Sequence, residues 1–286
     1  MTLDPERLAS VTVALACVGV LLVCGEVVAL RAHLGAGGLF DWEVSRTGRR
    51  LTVCGASGRV LHGLLRPSRL PVTLGVVMVT AAVPLVVLTT ASGDGSVGRS
   101  ALLVCLVVAL LGQLLLGLRL GAGVDAGDRM LTLVLVGCVA YHAAASPIAR
   151  DVALWFVGAQ GVLAYTVAGW SKLASARWRS GVALAAILST RTFGTPAIGA
   201  ALRRHPAAAR VLSWGVIGFE CSALLAVLAG PRAVLAFVAA GVGFHLATAT
   251  VMRLNHFVWA FAATYPAMLH LASGPAGILS GRGGLA

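Results

Sequence analysis

From Val152 to Ser171 the chain runs for about twenty residues without a charged side chain. At 1.5 Å of rise per residue, that is the length an α-helix needs to cross the ~30 Å hydrocarbon core of a bilayer. The pattern recurs along the sequence. Apolar runs with at most one ionisable group or two cover 8–30, 70–91, 101–118, 130–149, 152–173, 211–229, 233–252 and 256–271. Charged residues make up only 11% of the chain and mean hydropathy is +0.92, where a soluble domain carries about 25% charge. The expected fold is an all-α integral membrane protein, a polytopic bundle of about eight transmembrane helices over residues 1–275. Residues 276–286 read as a flexible tail. The segment before Leu8, MTLDPER, is not basic, so the first run is expected to be a helix of the mature protein rather than a cleaved signal.

The net charge of +12 is almost wholly arginine and sits between the apolar runs. In a membrane protein such residues mark the cytoplasmic side and meet anionic headgroups, and no nucleic-acid-binding motif or long basic arm accompanies them. Val182–Thr190 is apolar but only about nine residues long, too short to span, and basic residues flank it. It reads as a re-entrant or interfacial half-helix. With 182–190 not crossing, sixteen arginines fall on one side and five on the other, which makes the first side cytoplasmic and puts both termini outside the cell membrane. Leu51–Leu61, within the long loop after the first span, reads as a small β-hairpin around a Gly-Ala-Ser-Gly turn. Six scattered cysteines form no C-x-x-C pair. Seven histidines form no H-x-x-x-H or H-E-x-x-H pair, so no metal site is expected. No phosphate-cradling glycine loop follows a strand.

Four of the ionisable groups within the apolar runs stand out: Glu26, Lys172, Glu220 and His245. Lys172 is the only lysine in the chain. Lysine, unlike arginine, can shed its proton when desolvated, and the competing role is a snorkelling anchor at the interface. Glu220 and His245 flank a turn at Gly230-Pro231, and the helical rise puts their depths roughly 5–6 Å apart, within reach of a pair. Tyr165 lies one heptad before Lys172, with Trp170 and Trp178 nearby as interface aromatics. Gly158, Gly161, Ala164, Ala168 and Gly169 would let this helix approach its neighbours closely. Glu26 is near a boundary where it can reach water, and Tyr141-His142 sits near the end of its run.

The segment Tyr165-x-x-Ala168-Gly169-x-x-Lys172-Leu173-x4-Trp178-x-x-Gly181 resembles the lysine-centred motif of the horizontally transferred transmembrane (HTTM) domain, the membrane portion shared with vitamin K-dependent γ-glutamyl carboxylases. The resemblance continues through the glutamate-bearing helix of Glu220 to Phe244-His245 and Phe257, covering about residues 160–270. It implies that Lys172 is a base that deprotonates a reduced quinone, with Glu220 and His245 as polar partners and Tyr165 and Trp170 against the cofactor. In the carboxylases, oxygen then turns the quinol into a strong base that removes a glutamate γ-proton so that CO2 can add. By size, the chain is nearer the small bacterial members similar to sporulation-delaying protein B, implicated in maturing a secreted peptide toxin. Two functions therefore stand side by side: a lysine-base site acting on a quinone-like or peptide substrate, and a non-catalytic membrane protein supporting maturation or export of a peptide.

Overall fold

The computed structural model describes residues 4–30, 68–90, 96–120 and 125–274, with 33, 34, 42, 59, 60 and 63–65 between the first two blocks. The expected hairpin at 51–61 lies outside the described residues, apart from Arg59 and Val60, which are helical. Among the described residues every element is a helix: α1 Pro5–Ala29, α2 Leu70–Thr90, α3 Ser96–Leu120, α4 Ala126–Ala143, α5 Pro147–Ala174, α6 Ala176–Arg179, α7 Val182–Leu188, α8 Pro196–Arg204, α9 Pro206–Ala229, α10 Pro231–Met252, α11 Asn255–Ala262 and α12 Tyr265–Ser273.

The starts follow ordinary capping chemistry. Asp4 and Ser146 accept from the backbone N–H of Glu6 and Ala149, and Pro5 and Pro147 occupy the position where no N–H is needed. Asp125 and Asp128 form a reciprocal capping box at α4. Gly230, at φ 101°, supplies the left-handed turn between α9 and α10, as the Gly-Pro pair suggested. Pro84 lies inside α2, which continues through it.

Among the described residues, six helices (α1, α2, α3, α5, α9 and α10) are long and apolar enough to cross a membrane. The chain thus has the make-up of a multi-pass membrane protein. The burial pattern agrees: Leu228 is 74% exposed and Val211 71%, while Arg119, Asp128, Asp151, Glu220, His245, His256 and His270 are buried. A soluble protein has the opposite arrangement. Two expected spans look different from the run lengths. The fourth ends at Ala143, because Ser146-Pro147 already opens α5. The last is broken at Ala263-Thr264 into α11 and α12, with Pro266 in the first turn of the second piece.

That broken pair is the centre of the bundle. It touches α1, α4, α5, α9 and α10, and Ala263, Thr264, Ala267 and Met268 are fully buried. α5 lies against it through glycine. A Cβ on Gly158 would stand 2.6 Å from the Ala267 carbonyl oxygen, and one on Gly161 2.8 Å from Thr264 Oγ1. The short helices α6–α8 form a separate lobe. Ala185, Leu188, Leu202 and Ala209 make its small core, and hydrogen bonds from Ser213 to the Trp178 carbonyl and from Thr195 to the Val251 carbonyl tie it to the bundle. α7 keeps the shortness expected of the half-helix.

Gly158→Ala is expected to lower the midpoint of thermal unfolding in detergent, since overpacking against backbone costs about 1–3 kcal/mol. Gly215→Ala, on α9 with nothing within 4 Å of the added methyl, should leave it unchanged or raise it. Equal midpoints for both variants would contradict this packing.

Candidate functional site

Lys172 stands in the last turn of α5. Its Nζ donates to both oxygens of Glu220 on α9, at 2.7 Å and 2.6 Å. The two side chains are 18% and 7% exposed, so the ammonium is largely withdrawn from the surface and held by both oxygens of one carboxylate. Trp178 of α6 covers it, with Nζ 5.2 Å from the ring centroid, a cation–π contact that strengthens when water is excluded. Gly169 makes the pairing possible. A Cβ there would meet the Cys221 backbone nitrogen and Sγ at 2.8 Å, so α5 and α9 touch backbone to backbone one turn from the ion pair.

His245 does not join this pair. The expected Glu220–His245 contact across the α9–α10 hairpin is replaced by two separate partnerships. The helical rise gives the two residues similar depths, but depth says nothing of rotation about the axis, and Glu220 turns towards α5. His245 Nε2 instead shares a hydrogen bond with the Tyr165 hydroxyl at 2.6 Å, and Tyr165 shares a second with the Tyr265 hydroxyl at 2.9 Å. Aromatic rings close this trio in. Tyr165 has Phe219, Phe237 and Phe261 within 5.1–5.4 Å, edge-on or tilted, and His245 stacks on Phe261 at 4.7 Å. Gly241 leaves room for the Tyr265 hydroxyl, which a Cβ there would strike.

Of the residues read from the sequence, Lys172, Glu220, Tyr165 and His245 thus lie along the α5–α9–α10 contact, in two clusters two helical turns apart on α5. Trp170 does not. It is 62% exposed and faces outward, since it lies roughly 140° around the α5 axis from Tyr165. Trp178, given by the sequence as an interface aromatic, is the tryptophan at the lysine. Tyr265 was not singled out, and its signal is the Tyr-Pro step that restarts the broken helix. Tyr141 and His142 border a cavity of only about 10 Å³, room for a single water, with the His142 carbonyl accepting from Arg99.

Sequence spacing does not indicate a third polar cluster, around His256. His256, at the start of α11, has Nε2 2.9 Å from Asp125 Oδ1 and 3.0 Å from Oδ2, while Nδ1 is 3.4 Å from Glu26 Oε2 on α1. Gln113 of α3 donates to Asp128 at 3.4 Å. Burial alone would raise the Asp125 carboxyl, but the hydrogen bond and charge of His256, with backbone N–H groups of Asp128 and Gly127, hold it below the usual carboxylate range. Glu26, expected to reach water, is part-exposed and also meets this imidazole.

No family model matches the chain, and no curated protein or solved structure does either. Its function therefore has to be argued from these side chains.

Tyr165→Phe removes both hydrogen bonds of the trio and strands His245 Nε2 in an aromatic box, where an unsatisfied group costs about 1–3 kcal/mol. Tyr265→Phe removes one bond and leaves Tyr165–His245 intact. The unfolding midpoint is expected to drop clearly in the first variant and less in the second, and the reverse order would mean that Tyr165 is not the hub.

Proposed function

We propose that this chain is an eight-crossing membrane protein of the HTTM type in which Lys172 and Glu220 form a proton-transfer pair, Lys172 acting as base towards a quinol-like or peptide substrate. One observation supports this above the others: the only lysine of the chain is bound 2.6 Å from a buried carboxylate rather than extended to the headgroups. An anchoring lysine gains by keeping its ammonium in water. A base needs a neutral amine, and a proton passing from Nζ to Glu220 across that contact leaves one, which an arginine in the same place could not provide. His245 of α10 takes its part as a positioning residue through its hydrogen bond to Tyr165, which lies on the same face of α5 as the base and two turns from it.

A different observation favours the non-catalytic reading, a protein supporting maturation or export of a peptide. The pair is satisfied by its own two hydrogen bonds, and Gly169 clamps α5 to α9 beside it. Chemistry separates the two. Protein in lipid nanodiscs, given a reduced naphthoquinone and oxygen, is expected to form the quinone epoxide. Lys172→Ala and Lys172→Arg should both abolish it, and Glu220→Gln should slow it roughly 10²–10⁴-fold, the range of general acid–base assistance. A wild type that forms no epoxide, or a Lys172→Arg variant that keeps the wild-type rate, sinks the base and leaves the clamp.

Eight crossings count α4 and the α11–α12 pair with the six long helices, and the arginine asymmetry supports both termini lying outside. Small tags at the two ends are expected to react with a membrane-impermeant label on intact cells. Labelling of one end alone would mean an odd number of crossings.

A further inference from the structure

Five polar side chains from four helices meet where α1 ends and α4 and α11 begin: Glu26, Gln113, Asp125, Asp128 and His256. Ligand atoms of Asp125, Asp128 and His256 all lie within 4.8 Å of one another, close enough to share one ion. Capping accounts for part of this, since Asp125 and Asp128 close the α4 capping box. Capping does not account for His256, brought in from residue 256, or for Gln113. Gln113 is only 3% exposed and its amide nitrogen reaches Asp128 Oδ1 at 3.4 Å, yet its Oε1 has no hydrogen-bond partner. A buried amide oxygen without a donor costs free energy, and this one belongs to a side chain directed at the carboxylates. Turning the amide over presents that oxygen to the cluster.

The imidazole is set up in the manner of a metal ligand. Histidines that bind metal through one ring nitrogen usually have the other against a carboxylate, which fixes tautomer and orientation. Here Nε2 faces Asp125 while Nδ1 faces Glu26 Oε2 at 3.4 Å, aligned too poorly for a hydrogen bond. Gly127 lets α4 come this near, since a Cβ there would lie 2.8 Å from His256 Cδ2. An open groove of about 370 Å³, lined by Leu21, Leu22, Gly25, Glu26 and Asn255, reaches the Glu26 side of the cluster.

We propose that Asp125, Asp128, His256 and the Gln113 amide oxygen bind a divalent first-row transition-metal ion, with Glu26 orienting the imidazole from behind. Three oxygen donors and one imidazole suit zinc or manganese, and the set holds no thiolate for softer ions. Bound there, the ion ties α3, α4 and α11 together at one end of the bundle and relieves the crowding of the Asp125 and Asp128 carboxylates. The site is independent of the Lys172–Glu220 reading.

The test uses full-length protein without a histidine tag, stripped with chelator in detergent. Titration with cobalt(II) as a spectroscopic probe is expected to give a visible absorption band saturating at one ion per chain, and zinc or manganese should raise the unfolding midpoint in a concentration-dependent way. Gln113→Leu leaves the capping box and the imidazole in place and should weaken binding. Glu26→Gln should weaken it about 10–100-fold without abolishing it, and His256→Ala should remove the saturating band. A wild type with no saturating band and the same midpoint in chelator and in zinc overturns the site and leaves a capping box with a bridging histidine. Binding that persists unchanged in His256→Ala and in Gln113→Leu also overturns it, because the ion then sits elsewhere.

Discussion

A backbone amide or carbonyl buried away from water has to find its partner within the protein, so a helix can break inside a bundle only where neighbours wrap the break. The α11–α12 junction imposes that condition on everything around it. Thr264 Oγ1 turns back to the Phe261 carbonyl at 2.7 Å, and the Ala263 and Thr264 amides bond to Trp259 and Phe261 carbonyls at 2.9 Å, so much of the freed backbone is satisfied locally. The remainder needs close neighbours. α5 provides them by laying Gly158 and Gly161 against Ala267 and Thr264, and the same helix then uses Gly169 to meet α9. One stripe of small residues therefore seats the broken helix and, three turns later, delivers Lys172 to Glu220.

The balance of charge inside the bundle follows from this packing. A lone ammonium at the end of an apolar helix is costly in hydrocarbon, by roughly 2.5–3.5 kcal/mol at mid-membrane on insertion scales, and it escapes that cost by reaching water or by finding a carboxylate. The bidentate contact with Glu220 takes the second route. Removing either partner leaves the other as an uncompensated buried charge, which is why breaking such a pair destabilises far more than the intact pair stabilises. The clamp and the proton-transfer roles draw on the same geometry. They differ only in whether the proton moves.

Run lengths and turn residues made the helices legible: six of the eight runs became long helices, Gly230-Pro231 turned where expected, and Val182–Leu188 stayed too short to span. The glycines along α5 were legible as a packing face for the same reason, since a small-residue stripe has few other uses. Partner choice was not. Phe219 and Glu220 are neighbours in sequence but about 100° apart around α9, so the phenyl enters the Tyr165 box while the carboxylate meets Lys172. Nothing in an unpaired sequence fixes that rotation. Nor could spacing reveal the His256 cluster, whose members come from positions 26, 113, 125, 128 and 256 and meet only once the helices are stacked. The break in the last span had a visible cause in Tyr265-Pro266, but a single proline in an apolar run also fits an unbroken helix, as Pro84 in α2 demonstrates.

The His256 cluster and the Tyr165 trio are joined by rings rather than by hydrogen bonds. His256 contacts Phe257 at 5.5 Å, Phe257 stacks on Phe261 at 5.7 Å, and Phe261 meets both His245 at 4.7 Å and Tyr165 at 5.2 Å. Phe257 and Phe261 are four apart on α11 and so share a face. A close-packed column of this kind has little free volume to absorb displacement, so a reorientation of the His256 ring must be taken up by Phe257 and Phe261 before it reaches Tyr165. α11, which carries both rings, is a short element. It is only eight residues long, bounded by the left-handed Arg253 on one side and the buried break on the other. Tyr165 lies on the same helix as Lys172, so this ring column packs α11 against the helix that holds the lysine.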